Sequence, residues 1–167
     1  VADIPSQCIA LADLAVRANP ARGNFEAGTD PGLEATAYYG PPHGATGYGA
    51  CAMIVVVDPG TFQVKIEKLC FVHDCGTVIN PLVVDGQVHG ALMMGVGNSF
   101  FERLVYDNTT GQLQNSTFTD YMMARATDLP TLELGHLQVP SPLNPLGIKG
   151  VGEAGAIPTP AAFVQAV

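Results

Sequence analysis

The stretch LGIKGVGEAG, Leu146 to Gly155, sets a carboxylate among glycines: Gly150, Gly152 and Gly155 spell G-x-G-x-x-G, with Glu153 inside the pattern. That spacing is known from loops that cradle a pyrophosphate, but only between a strand and a helix, with an acidic residue about 20 positions further on. Here the preceding VPSPLNPL is kept out of a central strand by its prolines, and the chain reaches Val167 before the acidic partner can occur. A carboxylate between the glycines would also repel a pyrophosphate. A phosphate loop of the other common kind fails as well, because Lys149 precedes its glycine and no Ser or Thr follows it. What remains is a loop whose missing side chains let Glu153 approach a bulky group closely, as a positioned general base must. A plain turn carrying a solvated glutamate fits the same letters.

A second candidate is DGQVHGALMMGVG, where Gln87 and His89 lie beside Gly86 and Gly90, one helical turn apart. A glutamine carboxamide both donates and accepts, which suits a polar cofactor atom. A surface glutamine on an amphipathic helix is the plain alternative. His73-Asp74-Cys75 has the residue types of a metal site or a Cys–His pair. Neighbouring strand residues point to opposite faces, however, and the two that share a face do not make a site, so core and structural roles are expected.

The elements that must hold these residues follow from pattern. Pro5 to Ala18 is expected to be an apolar-faced helix with proline in its first turn, and LEATAYY, 33–39, a short strand. ACAMIVVVD, 50–58, reads as a buried strand, and Asp58 to Thr61 as a turn. Phe62, Val64 and Ile66 then alternate with polar residues as a half-buried strand, and the phase changes after Lys68, which predicts a β-bulge in an antiparallel hairpin. Asn80-Pro81 is a helix start. From there a helix to Glu102 carries Val84, Val88, Leu92, Val96, Phe100 and Leu104 as a stripe recurring every fourth residue. LVYDNTTGQLQNSTF, 104–118, reads as a second hairpin turning at Asn108 to Gly111. LELGHLQV, 132–139, is a further strand, and TPAAFVQAV begins a last helix.

Bulk properties narrow the function. Hydrophobic residues make up 47% and charged residues 13%, enough apolar material for a core. A net charge of −8 and seven scattered basic residues argue against nucleic acid as a partner. No apolar run approaches the roughly 18 residues of a membrane span. Cys8, Cys51, Cys70 and Cys75 contain no C-x-x-C and read as reduced core thiols, with a metal site as the lesser alternative. The start at Val1 and the unfinished apolar pattern at the other end read as those of a piece of a longer polypeptide.

VHDCGTVINPLVVDGQVHGALMMGVG, FTDYMMARATDLP and SPLNPLGIKGVGEAG, in that order, resemble the C-terminal part of molybdenum hydroxylase large subunits. This is the xanthine oxidase and aldehyde oxidase superfamily, with the nearest likeness to aerobic carbon monoxide dehydrogenase-like large subunits. The resemblance runs from about residue 33 onward. It implies residues 1–167 as a single C-terminal fragment of a molybdopterin-binding domain. The expected fold is α+β, with antiparallel hairpins in a mixed sheet packed against helices. It implies that Glu153 is the catalytic base beside molybdenum, that Gln87 and Gly152 meet the molybdopterin cofactor, and that no side chain of this piece ligates the metal. The implied reaction is hydroxylation of an aldehyde, N-heterocycle or related small molecule with water as oxygen source, or oxidation of carbon monoxide where copper joins the molybdenum. The implied cofactor is molybdopterin in its cytosine dinucleotide form. FAD and 2Fe-2S clusters would lie on flavin and iron–sulfur subunits that partner the rest of the large subunit in the cytoplasm. The piece alone would be inactive. A non-catalytic structural or binding domain that kept the fold is the alternative.

Overall fold

The computed structural model describes residues 8–19, 21, 28 and 30–167. The chain divides into two compact units, Val1–Gly40 and Pro41–Val167. In the first, α1 spans Leu11–Arg17, shorter than the helix expected from Pro5 to Ala18. Pro5 lies outside the described residues. Ala10 at the N-cap has no side chain to accept the first free N–H groups, and no residue of α1 is buried. The expected strand at 33–39 is absent: the segment finds no ladder partner among the described residues, and Tyr38 is 96% exposed. Strand-like alternation does not form a strand without a neighbour to pair with.

The second unit is built on a three-stranded mixed sheet in the order β1-β2-β3. Strand β1, Tyr48–Val57, pairs antiparallel with β2, Val64–Asp74, across the turn at Asp58, whose Oδ1 accepts from Gly60 N at 2.7 Å and Thr61 N at 3.0 Å. The register places Ile54 opposite Lys68 and Val55 opposite Ile66, so Glu67 is the extra residue of a bulge. That is where the change of phase predicted it, but Phe62 falls outside the expected strand: it sits in the turn at φ +57° and is 80% exposed. After the bulge Leu69, Phe71 and His73 all turn inward. Strand β1 is less buried than a continuous apolar run implies. It is an edge, covered on one face only, and Ile54 and Val56 are 55% and 47% exposed. Strand β3, Thr131–Leu137, joins the other side of β2 in parallel, which sets His73 beside His136 and Asp74 beside Leu137.

A parallel pair needs a long crossover, and here it contains helix α2, Pro81–Phe100. Asn80 Oδ1 accepts from Val83 N at 3.3 Å and proline occupies the first turn, as the sequence implies. Val88, Leu92 and Val96 close the core against Leu69 and Phe71. The stripe ends sooner than its spacing suggests: the helix stops at Phe100, and Leu104 lies beyond it, 55% exposed. The expected second hairpin is reduced to one bridge, Tyr106 with Leu113, around an Asp107 turn. Its residues pair with each other but border no sheet, so nothing extends the ladder. The last helix, α3, Thr159–Ala166, seats on α2, where a Cβ on Gly95 would lie 2.5 Å from Thr159 Cβ. The Phe100 and Phe163 rings meet at 4.0 Å.

The fold is thus α+β with a mixed sheet, as expected, built on one full hairpin rather than several. Leu92 has no exposed surface. Replacing it with alanine removes its packing in the core it shares with Leu69 and Phe71, and urea unfolding is expected to show a loss of about 2–5 kcal/mol.

Candidate active site

All three strands bring one end to the same place. Tyr48, the first residue of β1, lies opposite Asp74, and Leu137 ends β3 next to it. The segment from Ser141 to Pro158 folds over this end. Its entry is fixed by Asn144, whose side chain accepts from Ile148 N at 3.0 Å and donates to Ile148 O at 2.8 Å. Gly147 O accepts from both Thr77 N and Ser141 N at 3.0 Å. Gly76 has φ +71°, and a Cβ there would lie 2.1 Å from Gly147 O, so only glycine allows the two backbones to meet.

The next residues are held by charge. Lys149 donates through Nζ to Asp74 Oδ2 in an ion pair whose Asp74 side chain is 0% exposed and whose Lys149 side chain is 10% exposed. Asp74 Oδ1 also accepts from Gly76 N at 2.9 Å and Val139 N at 3.0 Å. Burial acts to raise the Asp74 carboxyl. It is outweighed by the Lys149 ammonium and the two backbone N–H groups, which together hold the group well below its ordinary value of 3.8. Backbone bonds from Lys149 N to Cys75 O at 2.8 Å and from Gly150 N to Ala45 O at 3.1 Å complete the clamp.

The glycine loop leaves this clamp with Val151 and Ala154 packed against the core, which turns Gly152 and Glu153 outward. The Glu153 carbonyl accepts from Ala156 N at 3.1 Å and Ile157 N at 3.3 Å, closing the turn. The three glycines differ in their work. A Cβ on Gly155 would lie 2.8 Å from Leu92 N and 3.1 Å from Val88 O, so this residue lets the loop rest on the α2 backbone. A Cβ on Gly152 would meet only Gln87 Oε1, at 4.0 Å. Gly152 and Gln87, singled out separately in the sequence, therefore face each other. Glu153 is exposed at the lining of an open cavity of about 430 Å³. Its other walls are Phe71 and Ala45 to Gly49.

That last wall is a part of the cavity the sequence did not reveal, since GATGYG reads as a turn-rich connection. A side chain on Gly47 would lie 2.8 Å from Gly150 O, and one on Gly49 2.7 Å from Val72 O, so the glycines are there to let the wall close on the loop and the sheet. His73 and Asp74 do diverge, as expected of strand neighbours. Asp74 meets Lys149, whereas His73 Nε2 lies 2.8 Å from His136 Nδ1. Cys8, Cys51, Cys70 and Cys75 are all free thiols, but only Cys75 is buried; Cys51 and Cys70 are half-buried, and Cys8 is exposed, just before α1, which buries nothing.

The residues present suit a polar organic cofactor. Gln87 offers a two-way hydrogen-bonding amide beside a glycine backbone, and the helix surface at Gly86 and Gly90 is open. Residues 3–130 match the model of the molybdopterin cofactor-binding domain, and the chain belongs to that family. It is 39% identical over 159 residues to the nicotine 6-hydroxylase large subunit of Paenarthrobacter nicotinovorans, covering 95% of this chain and 19% of that one. It is 38% identical to the carbon monoxide dehydrogenase large chain of Hydrogenophaga pseudoflava, covering 80% and 17%. The crystal structure of quinoline 2-oxidoreductase from Pseudomonas putida 86 superposes with a TM-score of 0.82 at 38% identity, over 98% of this chain and 21% of that one. The chain thus spans about a fifth of the length of the relatives it matches. The resemblance read from the three motifs is borne out. No helix among the described residues is long and apolar enough to cross a membrane.

The depressed Asp74 carboxyl makes a signed prediction. A carboxylate whose folded pKa lies below its unfolded value contributes stability that is complete above the unfolded value and is lost as pH falls through the folded one. The melting temperature is expected to fall steeply below about pH 4. Asp74→Asn, already less stable at neutral pH, should show a shallower acid slope in the same thermal titration.

Proposed function

We propose that this chain is the C-terminal part of a molybdopterin-dependent hydroxylase or dehydrogenase large subunit, in which Glu153 is the catalytic base and Gln87 and Gly152 meet the cofactor. The observation that carries the reading is the meeting of Gly152 with Gln87 beside the cavity that Glu153 lines. When bound, the molybdenum–molybdopterin group supplies the oxidising centre for a reaction in which water is the oxygen source. Glu153 takes up the proton released as water is incorporated into the substrate. Val151, Ala154, Lys149 and Asp74 fix the loop so that the carboxylate meets the reacting atoms in one geometry. Phe71 and the glycine-rich wall give the open cavity a largely apolar side against which a small substrate would lie. Gln87 holds a polar edge of the cofactor through its carboxamide, and Gly152 leaves the space for it.

The substrate class is an aldehyde, an N-heterocycle or a related small molecule, or carbon monoxide in a copper-containing variant. The whole protein would carry the cytosine dinucleotide form of molybdopterin and pass electrons to 2Fe-2S clusters and FAD on partner subunits. It would work in the cytoplasm. These features rest on the family likeness, and the separated piece is expected to turn nothing over. The alternative, a non-catalytic binding domain, predicts a native complex with neither metal nor pterin.

In the full-length complex Glu153→Gln is expected to lower kcat by about 10²–10⁴-fold while molybdenum and pterin content stay at wild-type levels. Steady-state kinetics beside metal analysis checks this, and near-normal turnover with intact cofactor would sink the assignment.

A further inference from the structure

Beneath α2 lies a chain of polar groups that the reading above does not use. His136 Nε2 is 2.7 Å from Asp85 Oδ1, and His136 Nδ1 is 2.8 Å from His73 Nε2. The two imidazoles occupy register-paired positions of the parallel strands β2 and β3, and their rings cross at 89° with centroids 4.7 Å apart. The His73 ring stacks on Phe71 at 5.5 Å, and Phe71 is a wall of the Glu153 cavity. Asp85 is on α2, two residues before Gln87. The chain therefore runs without a break from the cavity wall to the helical turn that carries Gln87.

We propose that Asp85, His136 and His73 are positioning residues for Gln87: they pin the first turns of α2 to the sheet so that the glutamine amide is held at a fixed place against a bound pterin. The proposal rests on the reading of Gln87 as a cofactor contact. Two features of the structure require a pin here. Gly86 and Gly90 flank Gln87 with nothing packed around them, and glycine is a poor helix former, so this turn lacks the support of its neighbours. The apolar stripe of Val84, Val88 and Leu92 already provides adhesion but no direction. Hydrogen bonds fix distance and rotation, which apolar contact does not.

His136 meets Asp85 through Nε2 and His73 through Nδ1, so both of its ring nitrogens are engaged, while His73 uses only Nε2 and leaves Nδ1 without a partner. That atom is the buried side-chain nitrogen without a hydrogen-bond partner among the described residues. Burial, and then the neighbouring His136, push His73 below its ordinary value, which keeps it neutral. A buried polar atom left unpaired is costly where packing alone is served. It is intelligible where the ring is needed for its other nitrogen. His89 adds a local tie, its Nδ1 lying 2.7 Å from Asp85 O.

The test uses the full-length complex and reads how long molybdopterin is retained, measured as fluorescent oxidised pterin released over time. Gln87→Ala and His136→Leu are each expected to shorten retention roughly tenfold, the scale seen for groups that orient ligating residues. His136→Gln, which keeps a donor toward Asp85, should recover most of the loss. In Gln87→Ala plus His136→Leu the second change should add nothing, because the pin acts through the amide. Losses that add in the double variant, or wild-type retention in His136→Leu, overturn the proposal. Wild-type retention in Gln87→Ala overturns the reading of Gln87 itself, and the pin with it. If His136→Leu does not fold, Asp85→Ala at the partly exposed end of the chain carries the same double-variant comparison.

Discussion

The buried ion pair between Asp74 and Lys149 is the constraint around which the site is arranged. A carboxylate with no exposed surface is tolerable only if its charge and lone pairs are all answered, and here an ammonium and two backbone N–H groups answer them. Each partner comes from a different place: Gly76 from the strand exit, Val139 from the exit of β3, Lys149 from the glycine loop. Satisfying one side chain therefore assembles three segments. The Lys149 ammonium, 4.9 Å from the centre of the Tyr48 ring, draws in the start of β1 as well. Such a pair need not add to net stability, since apolar residues of similar shape often do as well. What it adds is a single answer to where the loop begins.

Once Lys149 is fixed, the position of Glu153 follows from alternation. Val151 and Ala154 face the core, so the two residues between them face out. Gly155 rests on the α2 backbone, and Thr159, buried, donates to Gly155 O at 2.7 Å as α3 begins. Loop and helix are thus anchored at both ends, with the carboxylate at the free middle. This is a rigid mounting for a loop residue, and it suits a base that must meet its proton in one geometry.

Much of the fold was readable because its signals are local. Asn80-Pro81 caps a helix whatever surrounds it, and the change of phase at Glu67 and Lys68 is visible in the side chains alone. Segments 33–39 and 104–118 misled because alternation states a preference for a strand and says nothing of a partner. In the site, the glycines around Glu153 drew attention to it, but a turn with a solvated glutamate fits the same letters, so its proposed role rests on family likeness. Gln87 gained meaning only from family likeness. The Asp74–Lys149 pair and the His73–His136 contact join residues 75 and 63 positions apart, and a single sequence carries no sign of such couplings. The wall at 45–49 was missed for a different reason. Its glycines are explained by what approaches them, and that is decided by the register of β1.

Strand β1 has one more consequence, for how the chain behaves among copies of itself. Its ten residues, YGACAMIVVV, hold no charge and no proline, and among the described residues only one of its edges is paired. Natural sheets guard such edges with lysine, proline or a bulge on the outer strand, and here the bulge is on the inner one. Uncharged, β-branched and partly exposed, this segment has the composition that stacks into intermolecular sheets. The strand whose first residues wall the cavity is thus also an open template for another copy of itself, and the yield of folded chain is expected to depend on concentration and time as well as on equilibrium stability.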